Sequence, residues 1–288
     1  MEVTLADQRA LVLIEQLSIE QAEGRAWSKK VDAFGRVVKM TRFVQRPKDE
    51  DFELVYKEHR YQPFWHVACK ARYIYERRRE YPLALSGPAV ETVTIEGKDY
   101  PVTDGTLSLT GLELCREEPE QEVLFDGLSN DPTPDLADYL RFPATEIPME
   151  QLDEFRPEGT IVVPPVARAS AVVHQVLTGM IKSVQADRIL EDSVEVERVD
   201  LYYRPVYAFQ YRWHAKEREA VLEYDALTGH LVAGGKTFQQ HMGKLLDPEF
   251  LFDVGIDTVD LLVPGGGIAV KLAKKSIDVA RSRTKKGS

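Results

Sequence analysis

The chain predicts an α+β protein of two related units, each a helix packed on an antiparallel sheet, followed by an amphipathic helical hairpin at the C-terminus. Three observations carry this. A Tyr-x-Pro-aromatic segment occurs twice, Tyr61-Gln62-Pro63-Phe64-Trp65 and Tyr203-Arg204-Pro205-Val206-Tyr207, at a constant offset of 142. Each copy is preceded by an apolar pattern of helical period. The stretch between them is acidic and rich in proline, the composition of an extended connector.

The length of 288 residues suits two ordinary domains, and 43% hydrophobic with 29% charged residues is a globular composition. The expected divisions are a first unit over 1–115, a connector over 116–165, a second unit over 166–240 and the hairpin with its basic tail over 247–288. The first unit opens with a helix that Ser18 and Gln21 mark as a capping box, with Ile19, Trp27, Val31, Phe34 and Val38 on one side. A strand follows in which alternate residues share a face. Tyr61, Pro63, Trp65, Val67, Cys69, Ala71, Tyr73 and Tyr75 form the apolar side, while Arg60, Gln62, His66, Lys70 and Arg72 turn toward water. Residues 81–102 are also strand-like, with turns at Ser86-Gly87-Pro88 and Glu96-Gly97.

Residues 116–165 hold thirteen Asp or Glu against three Arg, and eight of the sixteen prolines. That balance of −10 equals the net charge of the whole chain, so the acidity belongs to this segment. In the second unit, Ala169, Val172, Val173, Val176, Leu177, Met180, Ile181 and Val184 recur at spacings of three and four, the stripe of a sheet-covering helix. Tyr203, Pro205, Tyr207, Phe209, Tyr211 and Trp213 then make an aromatic wall on one side of a strand. Asp225-Ala226-Leu227-Thr228-Gly229 reads as a hairpin turn between Glu219–Tyr224 and His230-Leu231-Val232.

Asp247-Pro248-Glu249 is a helix start, with an N-cap aspartate and proline at the first helical position. Pro264-Gly265-Gly266-Gly267 ends that helix, and Ile268 to Arg281 reads as a second, basic one. Residues 268–288 carry seven Lys or Arg against Asp278 alone. Lys271, Lys274, Lys275, Arg281 and Arg283 are the candidates for docking on a partner or an anionic membrane surface. Docking on the acidic connector and self-association stand beside those two readings.

The helix, the YxPxY strand and the turn DALTGHLV over residues 197–235 resemble the PepSY and cystatin-like families. The resemblance implies a helix that wraps a curved antiparallel sheet and an inhibitory, binding or accessory role rather than an enzymatic one. The Asp-x-x-Thr-Gly element has no counterpart in the first unit by sequence.

Basic residues on the water-facing sides, Arg60, His66, Lys70, Arg72, Arg204, Arg212 and His214, are the candidate binding surface, set against an ordinary solvated face. The leading functional expectation is a non-catalytic protein-interaction or ligand-binding protein. Peripheral membrane association through the hairpin is the alternative, and nucleic-acid binding is disfavoured because helix stripes exist to cover the aromatic wall. A hydrolase would require His59, His66 or His214 to meet a carboxylate in a deep pocket. Neither GxSxG nor HExxH occurs, so no catalytic residue is assigned and no cofactor is expected. His59, His66, Cys69 and Cys115 do not make a zinc site, because His66 and Cys69 point to opposite faces of a strand. Two cysteines and an N-terminus without a basic, then apolar, leader suggest the cytoplasm.

Overall fold

The computed structural model describes residues 1–35, 48–87, 89–233, 235, 246–253 and 271–274. Its strands join into one mixed sheet, and this corrects the expected pair of separate helix-on-antiparallel-sheet units. The cause is the length of two strands, β3 (Phe52–Ala84) and β10 (Arg188–Trp213), which pair antiparallel with each other along almost all of β10. The two Tyr-x-Pro motifs are therefore neighbours. Tyr61 lies opposite Pro205, Gln62 opposite Arg204 and Pro63 opposite Tyr203, so the repeat folds onto itself about a local two-fold axis at the Gln62–Arg204 pair.

The remaining strands attach to the outer sides of this central pair. On β3 lie β9 (Thr160–Val162, parallel), β7 (Glu120–Asp126) and β6 (Thr106–Glu117). On β10 lie β1 (Glu2–Leu5) and β2 (Gln8–Leu13), both parallel, and antiparallel β11 (Arg218–Asp225). Strand β12 (Leu231–Ala233) pairs with β11, β8 (Ala144–Ile147) with β2, and β4 (Thr92–Ile95) with β5 (Lys98–Thr103), which joins β6. Residues 116–165, expected as an extended connector, thus supply three strands. Their charge does not prevent this, because acidic Glu120, Glu122 and Glu146 alternate with residues that reach the core.

The prolines cost the central ladder nothing. Pro63 O accepts from Gly127 N at 3.0 Å and Pro205 O from Ala226 N at 3.1 Å, so both residues turn their backbone outward. Each missing N–H falls in a gap between outer strands, β9 and β7 in one case, β2 and β11 in the other.

The halves share more than the motif. Asp225 Oδ1 accepts from Leu227 N and Thr228 N, both at 2.9 Å, and Gly229 takes φ 70°. Asp126 Oδ1 accepts from Leu128 N at 2.7 Å and Ser129 N at 3.1 Å, and Asn130 takes φ 65°. Both are aspartate-stabilised turns closed by a left-handed residue, a conformation that glycine and asparagine adopt most readily.

The first strand and helix of each half pack on the other half. Strand β2 runs into helix α1 (Ile19–Ser28), whose Ala22 and Ala26 bury against Phe209, Tyr211 and Tyr224 of β10 and β11. The Ser18–Gln21 capping box is formed. Strand β9 runs into helix α2 (Ala169–Met180), whose valines and Leu177 bury against Trp65, Val67 and Tyr73 of β3. Two tethers match: Tyr207 Oη donates to Leu17 O at 2.8 Å, and Trp65 Nε1 donates to Ala167 O at 3.0 Å.

The expected C-terminal helical hairpin is also corrected. Asp247 does cap a helix, accepting from Phe250 N at 3.2 Å, but that helix, α3, spans only Pro248–Leu251. Lys271–Lys274, expected as helix, is strand β13, which lies parallel on the edge that β1 would otherwise leave open. Residues 254–270 and 275–288 lie outside the described residues. Among the described residues, no helix is long and apolar enough to cross a membrane.

Candidate functional site

Each of the seven basic residues expected on water-facing sides meets a carboxylate. Of the central three, Arg60 and His66 are buried and Arg204 is half-buried. Arg60 is 0% exposed and holds Glu58 at 2.9 Å and Glu223 at 2.7 Å. His66 is 1% exposed, with Nε2 2.5 Å from Glu122 Oε1. Arg204 donates to Gln62 Oε1 at 2.8 Å, Tyr139 Oη at 2.7 Å and Asp225 Oδ2 at 3.2 Å. The Tyr139 phenol also donates to Asp225 Oδ2, and burial pushes it up to about 12.

The other four are more open. Lys70 pairs with Glu195 and Glu197, and Arg72 with Glu118 and Glu191. Lys70 and Arg72 border a cleft of about 360 Å³ whose walls carry more glutamates than cations. Arg212 pairs with Glu219 and Glu53, and His214 lies 3.5 Å from Glu53. Lys271 and Lys274 sit on β13, while Lys275, Arg281 and Arg283 lie outside the described residues. Each of the seven sheet residues Arg60, His66, Lys70, Arg72, Arg204, Arg212 and His214 thus has an acid from another segment beside it.

All three histidines that a hydrolase would need do meet a glutamate. His59 Nε2 stands 2.9 Å from Glu15 Oε1, Glu15 also accepts from Tyr61 Oη at 3.1 Å, and its Oε2 lies 2.9 Å from Tyr207 Oη. Burial drives the tyrosine phenols upward and the imidazoles of His59 and His66 downward, with Glu15 and Glu122 opposing the imidazole shift. A histidine whose folded pKa lies below its unfolded value near 6.5 takes up its proton more readily when unfolded. The fold is thus expected to lose stability as pH falls below about 6.5, down to the folded values. Urea midpoints at pH 7.5 and 5.5 check this: the drop should shrink in His59→Gln/His66→Gln.

Glu122, the partner of His66, borders a groove of about 490 Å³ between β7 and the 3-10 helix Pro134–Arg141. Its walls are largely apolar, from Val123, Leu124, Pro132, Pro134, Ala137 and Leu140, and among the described residues Glu122 is its one charged lining group. Neither groove nor pair was visible in the sequence, where Glu122 is one acid among thirteen.

A different feature lies at the far end of β3. Residues 77–84 continue beyond the first residue of β10, and with β4, β5 and β6 they form an arm. Leu112 and Leu114 stand on one face of it, 63% and 69% exposed, opposite Arg78 and Glu76. Ile189 and Leu190 at its root are also exposed. The β3 edge of the arm is poorly suited to strand addition. Glu76 O accepts from Asp187 N and Arg78 N donates to Asp187, so even-numbered residues turn their backbone to that edge. Pro82 therefore presents no donor there, and Arg77, Arg78 and Arg79 charge the approach. Comparison of the chain with protein-family models, with curated proteins and with solved structures finds no match.

Proposed function

We propose that this chain is a protein-interaction protein that docks its partner on the Leu112–Leu114 face of the arm. The observation that supports it is the pair of adjacent, largely exposed leucines on the face of a sheet that extends beyond the end of β10. A solvated strand face normally carries polar residues at such positions, and an exposed apolar patch marks a contact surface. The neighbours favour protein over lipid. Glu76 and Arg78 cancel, so the face offers no net positive charge to an anionic membrane. A cytoplasmic location goes with this reading, in keeping with two free thiols, Cys69 and Cys115.

The test is a photo-crosslinking residue placed at Leu112 of the full chain, with Glu96 at the β4–β5 turn as control position. A discrete protein adduct at 112, absent at 96 and reduced about tenfold or more by Leu114→Asp, is the expected result. Adducts no stronger than the control, or arm-dependent co-sedimentation with phosphatidylserine vesicles, would overturn the reading.

A further inference from the structure

The pairing of His66 with Glu122 has no counterpart in the other half of the molecule. At the repeat offset, His66 corresponds to Ala208; by the matched turns Asp126 and Asp225, Glu122 corresponds to Val221. In the other half the two positions are apolar, and the carboxylate stands instead at Glu223, opposite Ala208 and paired with Arg60, so no imidazole is needed there. Burying an imidazole beside a carboxylate costs desolvation that an apolar pair avoids, so the dyad calls for a reason other than packing.

We propose that the groove between β7 and the Pro134–Arg141 helix binds an amphiphilic amine, its apolar body against Leu124, Pro134, Ala137 and Leu140 and its ammonium on Glu122. The volume of about 490 Å³ lies in the range of small-ligand pockets, roughly 300–1,000 Å³. The wall is preformed, since Tyr139 of that helix is tied to Arg204 and to Asp225. At the polar end, His66 occupies Glu122 Oε1, and the carboxylate, 60% exposed, reaches the groove. Burial moves the His66 imidazole below its ordinary value, which disfavours the imidazolium that would offset the charge of Glu122. That combination selects a cation with an apolar tail over an anion with the same tail.

Three probes of equal chain length separate the terms: n-octylammonium, octanoate and n-octanol, titrated into the full chain by calorimetry and by amide chemical shifts. Saturable binding of octylammonium is expected, with octanol weaker and octanoate weakest. Glu122→Gln should weaken octylammonium by about tenfold or more, the loss of a charged hydrogen bond, and change octanol by less than about twofold. Ala137→Trp, which fills the groove, should abolish both; if that variant is unfolded by circular dichroism, Leu140→Trp replaces it. Octanoate binding as tightly as octylammonium overturns the proposal. So does octylammonium binding that is absent, insensitive to Glu122→Gln or insensitive to the tryptophan.

Discussion

Trp65→Ala is expected to lower the unfolding free energy by about 3–5 kcal/mol, the usual cost of emptying an aromatic site in a core. Trp65 is fully buried beneath α2, packs edge-on against Phe252 with centroids 5.4 Å apart, and is the donor to Ala167 O just before α2 begins. Truncation removes the ring contacts and also frees the entry to that helix. Trp65→Phe separates the two effects. It retains most of the apolar volume and loses the bond, so it should cost about 1–2 kcal/mol. Urea unfolding followed by far-ultraviolet circular dichroism measures both, and a midpoint near that of the wild type for Trp65→Ala would show the ring to be dispensable.

The second large effect is at Arg60. Its guanidinium is fully enclosed and faces Glu58 from its own strand and Glu223 from β11. Arg60→Ala removes the cation that both carboxylates face, for an expected loss of about 3–5 kcal/mol. The triple replacement Arg60→Met/Glu58→Leu/Glu223→Leu takes the charges out together and should recover much of that loss, because the desolvation of all three groups is relieved at once. Chemical denaturation of the single and triple variants under the same buffer gives the comparison. If the triple variant is no more stable than Arg60→Ala, the charges themselves hold this part of the sheet.

What was legible in the sequence is the alternation along the two long strands. Tyr61, Trp65, Val67, Cys69, Tyr73 and Tyr75, and Tyr203, Tyr207, Phe209, Tyr211 and Trp213, are all buried on one side. The valine stripe of residues 169–180 is likewise a buried helix face. The second side was misjudged because Arg60, Gln62 and His66 look solvated when only their own segment is read. Their partners Glu223, Arg204 and Glu122 come from elsewhere in the chain, and no local pattern reveals such a pairing.

The arrangement of the halves was hidden for the same reason. A repeat shows that two segments will be built alike; it does not say that they lie side by side. The Asp126 turn escaped notice because Ser129 and Asn130 stand where Thr228 and Gly229 stand in the other copy, a chemically equivalent pair that spells differently. At the C-terminus, Lys271-Leu272-Ala273-Lys274 suits a helix as well as a strand, and the edge of β1 decides between them.

The reciprocal packing of the halves bears on how this chain is made. Arg9 in β2 finds its partner Asp200 in β10, 191 residues later, at 2.6 Å and 2.9 Å. Emerging from the ribosome, β2 and α1 lack the β10 surface they pack on until β10 has been translated, some ten seconds or more at roughly 5–20 residues per second. Pairings of such long sequence separation slow folding and leave the apolar stretches of the early strands uncovered for longer than a fold of adjacent contacts would.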